Sequence, residues 1–360
     1  MSAVPSPPSV VMPTVSVVMP IRNEADFIAR SLGAVLSQDY PSDRLDVIVA
    51  DGCSDDGTEE LVRAIAASDP RVTLVANTGR IVATGLNQAL ALAKGEIIVR
   101  VDGHCEIAPD YVRNCVTHLR RGEADGVGGP LETVGQNPIA RAIAVAMSSA
   151  FGVGNSAFRT VKGRSMIVDT VAFPAYPREV LDRVGPFDVE LVRNQDDEYN
   201  YRLRKMGGRL LLAADVRARY YSRSSFKTLW RQYFQYGYWK VRVLQKHPRQ
   251  MRLRQFVPLL FVLALAGAGL ALPWAPGRLA FGMLVGTYAA LNLAVSVASA
   301  PRPVSLTHVS AVSLAFAILH LSYGSGFLTG LFKFWNRWGG ARDGAVPLSL
   351  SGSKGRQEII

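Results

Sequence analysis

The sequence predicts an α/β domain built on a mostly parallel sheet and followed by C-terminal transmembrane helices. Three observations predict it. Between Val15 and Val101, short β-branched runs alternate with amphipathic segments, the pattern of parallel strands joined by helical crossovers. The charge is divided: the net is +11 over 360 residues, yet residues 1–215 carry 22 Lys/Arg against 27 Asp/Glu, and residues 217–342 carry 16 Lys/Arg and no acid. Three apolar runs then follow residue 255, each near the roughly 20 residues that cross a bilayer.

Residues 1–13 read as a disordered Pro/Ser leader without the basic start and apolar core of a signal peptide. With three cysteines and no CxxC pair, this places the soluble part in a reducing cytoplasm. Val15–Met19 is the first strand, and Glu24–Gln38 a helix with Ile28, Leu32, Val35 and Leu36 on one face. Leu45–Ala50 is a strand, and Thr58–Ala67 a helix whose first turn holds Glu59 and Glu60, favourable with the helix dipole. Strand Val72–Ala76, helix Ile81–Ala93 and strand Ile97–Val101 complete the alternation, and a helix runs from Pro109 to about Arg121. Gly126–Pro130 then breaks the rhythm. A helix near Ile139–Ala150, a glycine loop at 151–155, strand Val168–Phe173, helices Arg178–Val184 and Asp196–Met206 and a final strand Leu210–Ala213 follow.

Two strands end in acids, at Asp51 and Asp102. In an open α/β sheet such tips face the ligand crevice. Asp102 is followed by Gly103 and His104, and an Asp with a His can hold a metal, whereas a strand-end Asp by itself also serves as a turn cap. Asp51 and Ser54 allow the same turn-and-cap reading. No GxGxxG follows the first strand and no Walker A sequence occurs, which argues against a dinucleotide or P-loop site.

The segments PIRNE (20–24), VADGCSDDGT (49–58), VRVDGH (99–104) and QDDEYNYR (195–202) together resemble the family 2 inverting glycosyltransferases. The likeness covers about residues 14–240. It implies a GT-A catalytic domain over 14–215, a nucleotide-diphosphate sugar donor and a divalent metal, Mg²⁺ or Mn²⁺. Asp102 matches the last acid of the family's DxD motif, the metal ligand, and Asp196 the Asp of its ED motif, the general base. The implied donor-binding set is Pro20, Arg22, Glu24, Asp51, Arg80, Arg100 and Asp102. The implied acceptor-binding set is Gly154, Asn155, Asp197, Arg202 and Trp239. Physics asks for such groups: a diphosphate leaves only when its charge is neutralised, and a sugar hydroxyl attacks only as a carboxylate takes its proton. One displacement from the opposite face turns an α-linked donor into a β-linkage.

The chain departs from the family pattern in three places. Arg100 stands at the first DxD acid, either in a salt bridge or on phosphate, which leaves a one-carboxylate metal site that His104 is a candidate to complete. Gln195 stands at the Glu of ED. The QxxRW signature of processive synthases is replaced around Gln232-Tyr233-Phe234-Gln235-Tyr236. With GVGNSAFR (152–159), RNQDDEYNYRL (193–203) and FQYGYWK (234–240), the match narrows to succinoglycan-type membrane glucosyltransferases. That likeness implies a UDP-sugar donor and a polyprenyl-diphosphate-linked saccharide acceptor, in exopolysaccharide or cell-envelope glycan synthesis. Gly152, Gly154, Asn155 and Arg159 then line the acceptor or diphosphate region, or simply form a structural glycine loop. A polyprenyl-phosphate glycosyltransferase and a catalytically silent nucleotide-sugar-binding protein are the alternatives.

Arg217 to Arg254 holds 11 Lys/Arg interleaved with aromatics, which suits an interfacial segment (216–255) on anionic lipid rather than nucleic acid. Residues 256–335 form a membrane domain of about three helices, and 336–360 a flexible tail. The whole is expected in a bacterial-type cytoplasmic membrane with the catalytic domain inside. Three full spans would put Lys333, Arg337 and Arg342 outside, whereas two spans and a re-entrant third would keep them inside.

Overall fold

The computed structural model describes residues 11–154, 156–300, 303 and 305–338. It runs β1 (Val15–Ile21), α1 (Ile28–Leu36), β2 (Leu45–Asp51), α2 (Thr58–Ser68), β3 (Val72–Ala76), α3 (Val82–Leu92) and β4 (Ile97–Arg100). These follow the predicted alternation closely. Next come β5 (Cys105–Ile107), α4 (Tyr111–Arg120), β6 (Gly126–Gly129), β7 (Leu131–Val134), α5 (Pro138–Met147), α6 (Ala150–Val153) and α7 (Ala157–Thr160). Then follow β8 (Met166–Val168), β9 (Ala172–Pro177), α8 (Arg178–Val184), α9 (Gln195–Lys205), β10 (Leu210–Leu212) and β11 (Ala218–Tyr221). Four helices close the described chain: α10 (Phe226–Lys246), α11 (Val257–Leu270), α12 (Ala275–Ser299) and α13 (Leu306–Lys333).

The main sheet has the order β3-β2-β1-β4-β9-β6-β10-β8, and β5-β11-β7 form a second sheet. β1 pairs in parallel with both β2 and β4, with Val17 opposite Val47 and Val99. Every residue of β1 is buried, as expected for a central strand covered by helices on both faces. Val17, Val47, Val49 and Val99 join Ile28, Leu32 and Val35 in one core layer. Val18, Ile48 and Ile98 point the other way, onto Ala83, Leu86 and Ala89 of α3.

Three local expectations are corrected. The strand expected over Val168–Phe173 is two strands, because Asn200 donates to Thr170 Oγ1 (2.8 Å) and the Val171 carbonyl and takes that stretch out of the ladder. Leu210–Leu212 is not the last strand: β11 follows it, between β5 and β7. The loop at 151–155 begins as the helical turn α6, which Gly154 ends at φ +61°. Of the expected leader, residues 1–10 lie outside the described residues, whereas the Met12 and Pro13 carbonyls are held by Arg44 and Tyr40. Residues 339–360 of the expected tail lie outside them too.

α12 and α13, with 25 and 28 residues and mean hydropathy of 1.6 and 1.5, are long and apolar enough to span a bilayer; α11 has 14 residues. α13 is also the dock for the rest of the chain. Cβ atoms on Gly326 and Gly237 would collide with the Phe234 and Tyr323 carbonyls, so α10 and α13 cross at backbone contact, as small residues permit. α10 therefore lies against the apolar helix α13 while its other face looks into the catalytic domain.

Candidate active site

The sheet order reverses at β1, so the crevice between the ends of β1 and β4 is a topological switch point, where open α/β sheets bind ligands. A cavity of about 970 Å³ opens there and continues to α11 and α13. Pro20, Arg22 and Glu24 enter it from the β1–α1 turn, Arg80 from the β3–α3 turn, and Arg100, Asp102 and His104 from the end of β4. Asp196 and Asp197 come from the first turn of α9, and Gly152, Gly154 and Arg159 from the α6–α7 segment. Residues almost 180 positions apart thus share one wall.

Arg100 is the hinge of the arrangement. Its guanidinium is 7 % exposed and donates to Asp102 Oδ1 through Nε (3.1 Å) and Nη2 (2.9 Å). Its Nη1 lies 3.8 Å from Asp196 Oδ2. Burial works against the charge, but Asp102 and Asp196 outweigh it and push the Arg100 pKa up. Of the two roles open to Arg100, the structure displays the salt bridge, and it is made with the neighbouring site acid itself. Asp196 Oδ1 accepts the Asp197 backbone N–H (2.9 Å), and three acids in the first turn of α9 suit its dipole. Asp197 pairs with Lys240 of α10.

His104 lines the cavity with one ring nitrogen held by a carboxylate. Its Nδ1 meets Glu24 Oε1 at 2.7 Å. Burial opposes its charge, yet Glu24 and then Tyr220 raise its pKa to about 9. This also commits Glu24 to an ion pair. Asp51, Arg202 and Trp239 are not brought to the cavity wall. Asp51 is 2 % exposed and caps its own turn, accepting from the Ser54 N–H (2.9 Å) and hydroxyl (2.5 Å). Arg202 reaches back along α9 to Glu198 and donates to the Val184 and Pro186 carbonyls. Trp239 packs on the rings of Tyr238 and Phe334, while its neighbour Lys240 turns into the cavity. Asn155 lies outside the described residues.

The structure adds Tyr220, Arg223 and Arg231, which the motifs did not single out, and brings Arg193, Gln195 and Gln232 of the quoted segments to the same cavity. Most belong to the basic aromatic stretch, where composition marked the segment and β11 and α10 select the inward members. Gln195 and Gln232, both buried, keep their side-chain carbonyl oxygens without partners among the described residues; such orphan acceptors suit sugar hydroxyls. The wall is braced from outside. Glu190, ahead of α9, is clamped by Arg242 (2.8 Å) and Lys246 (2.7 Å) of α10; partial burial raises its pKa, but these two cations outweigh it and lower it to about 2.

Comparison with known proteins gives this geometry a class. The structure of the mannosyltransferase PcManGT from Pyrobaculum calidifontis, in complex with GDP-Man and Mn²⁺, superposes with a TM-score of 0.56 at 23 % identity, over 90 % of this chain and 88 % of that one. The fold is thus the GT-A fold. The succinoglycan biosynthesis protein ExoA of Rhizobium meliloti (strain 1021) is 31 % identical over 340 residues, 89 % of this chain and 96 % of its own. A dolichyl N-acetyl-α-D-glucosaminyl phosphate 3-β-D-2,3-diacetamido-2,3-dideoxy-β-D-glucuronosyltransferase of Methanococcus voltae is 25 % identical over 240 residues, 64 % of this chain and 74 % of its own. The family model described as glycosyl transferase family 2 matches residues 16–185. The chain belongs to glycosyl transferase family 2 and is a glycosyltransferase.

Proposed function

We propose that the protein is a membrane-anchored inverting glycosyltransferase. It moves a sugar from a nucleotide-diphosphate donor, a UDP-sugar, to a hydroxyl of a polyprenyl-diphosphate-linked saccharide during exopolysaccharide or cell-envelope glycan synthesis. The observation that carries this reading is the pair of acids Asp102 and Asp196 facing one crevice across Arg100. The succinoglycan and dolichyl-phosphate relatives support the pathway type and the lipid-linked acceptor, and α12 and α13 support the anchoring in a cytoplasmic membrane.

A divalent ion fits the site in one way only. Among the described residues no three His, Cys, Asp or Glu side chains gather as a metal cage. Asp102 still offers one carboxylate, and Mg²⁺ is commonly held by one or two carboxylates together with substrate phosphates. Asp102 would therefore hold the metal with the donor diphosphate. When bound, the ion neutralises charge on the leaving group. Asp196 takes the proton of the attacking hydroxyl. Arg22 and Arg80 lie on the nucleotide side of the crevice, and Arg100 keeps both acids aimed at the same space. Gln195 and Gln232 orient sugar hydroxyls through their unpartnered oxygens.

The test offers radiolabelled UDP-glucose, UDP-galactose and UDP-N-acetylglucosamine to the full-length protein with native lipid extract. One donor is expected to send label into the lipid phase. Label that stays aqueous with all three contradicts the reading.

A further inference from the structure

The cations of this cavity fall into two groups. Three near Asp102 and Asp196 have a fixed acidic partner: Arg100 the two acids, His104 Glu24, and Lys240 Asp197. Arg159, Arg223 and Arg231 face the same space, and none of the three has a carboxylate within ion-pair distance among the described residues.

Arg223 is the clearest case. It follows β11, half-buried, and has neither an ion pair nor a hydrogen bond among the described residues. Its backbone is fixed all the same, since Ser222 donates its N–H to the Val134 carbonyl (2.9 Å) and its hydroxyl to the Ala140 carbonyl (2.8 Å). Arg159 lies 5.1 Å from the centroid of the Tyr220 ring and bonds only the Thr133 hydroxyl (3.3 Å). Arg231 sits on α10 one residue before Gln232, whose buried carbonyl oxygen is also without a partner. Burial raises the Tyr220 pKa, but His104, Arg223 and Arg159 outweigh it and bring it down, the mark of a positive field without its counter-ion. Buried charge without a partner is costly, so a pocket of this kind is built for an anion. The acids that act on Arg223 are already engaged: Glu24 by His104, and Asp102 by Arg100.

The lining also takes in Val257 and Pro258 at the start of α11 and Leu319 and Tyr323 of α13, beside Arg254, Gln255 and His320. An anion held here therefore has apolar side chains of α11 and α13 within the same cavity. A second nucleotide would find neither of these features useful.

We propose that Arg159, Arg223 and Arg231 form a second anion site in this cavity, made of residues outside the donor set, that grips the phosphate groups of the lipid-linked acceptor. The proposal rests on the reading of the cavity as a transferase site with a lipid-linked acceptor. It assigns the acceptor's charge to named residues and makes the acceptor diphosphate, not its sugar, the main handle for recognition.

The experiment measures binding to the full-length protein in detergent micelles. UDP is titrated alone; farnesyl diphosphate and inorganic pyrophosphate are then each titrated with UDP saturating, so that the donor half is closed. Farnesyl diphosphate should bind at least tenfold more tightly than pyrophosphate. Arg223→Gln should weaken it about tenfold or more, the worth of a charge-assisted hydrogen bond, and change UDP affinity less than twofold. Arg231→Gln, at a more exposed position, should act in the same direction and serves if Arg223→Gln folds poorly. Unchanged farnesyl diphosphate affinity in a folded variant overturns the site. Equal affinity for pyrophosphate and farnesyl diphosphate overturns the lipid assignment and leaves a free-phosphate site. A failure of UDP to bind the wild type counts against the proposed UDP-sugar donor instead, which separates the two failures.

Discussion

Asp196→Asn should lower kcat for sugar transfer by roughly 10²–10⁴-fold, the range general-base catalysis contributes, with UDP affinity within about twofold of wild type. The substitution is nearly isosteric. Asparagine keeps the oxygen that accepts the Asp197 N–H at the start of α9, and the side chain is 44 % exposed, so the helix start survives. What disappears is an oxygen able to take a proton. Arg100 still has Asp102 as its closer partner, and the crevice keeps its shape. Turnover measured with saturating donor checks this against the titration of UDP. Transfer at more than a tenth of the wild-type rate would mean that the acceptor is already anionic and needs no base, which is the polyprenyl-phosphate alternative.

Asp102→Ala should damage both stability and chemistry. The Arg100 side chain is 8 % exposed and that of Asp102 22 %, and their two hydrogen bonds form the inner half of the Arg100 network. Removing one partner of a buried ion pair costs about 3–5 kcal/mol; with Asp196 still 3.8 Å away, about 3 kcal/mol is expected. The chemical loss is expected near 10²–10³ in kcat, the cost of removing one preorganised electrostatic group. Denaturant unfolding and turnover are read together with Asp102→Asn, which keeps an acceptor for Arg100. The Asn variant should recover part of the stability and little of the activity. A folded Asp102→Ala protein with wild-type stability and rate would remove Asp102 from the site altogether.

Much of the sheet was legible because its signals are local. Val72–Ala76 and Arg178–Val184 match residue for residue, since β-branched runs and an amphipathic turn after a proline carry their own pattern. The convergence of Asp102 with Asp196 was legible through motif order. The fate of the other charges was not. His104 is taken by Glu24, 80 residues earlier, and nothing near His104 in the chain distinguishes an ion-paired ring from a ligand. Asp51 and Asp102 end strands in similar sequence, yet Ser54 turns the first into a cap while Arg100 holds the second at the cavity. Tyr220 and Arg223 reach the site only because β11 inserts between β5 and β7; that pairing spans more than 80 positions, and the local sequence of ARYY gives no hint of it. On α10, composition announced a basic aromatic segment, but which residues face inward is set by the glycine contact with α13.

The central claim is a single displacement by a hydroxyl whose proton goes to Asp196. The anomeric configuration and attachment point of the lipid-phase product, read by NMR after reaction with the accepted α-linked UDP-sugar, test it most directly. The account predicts a β-linked sugar on a carbohydrate hydroxyl of the acceptor. An α-linked product, or a sugar esterified directly to lipid phosphate, would contradict it.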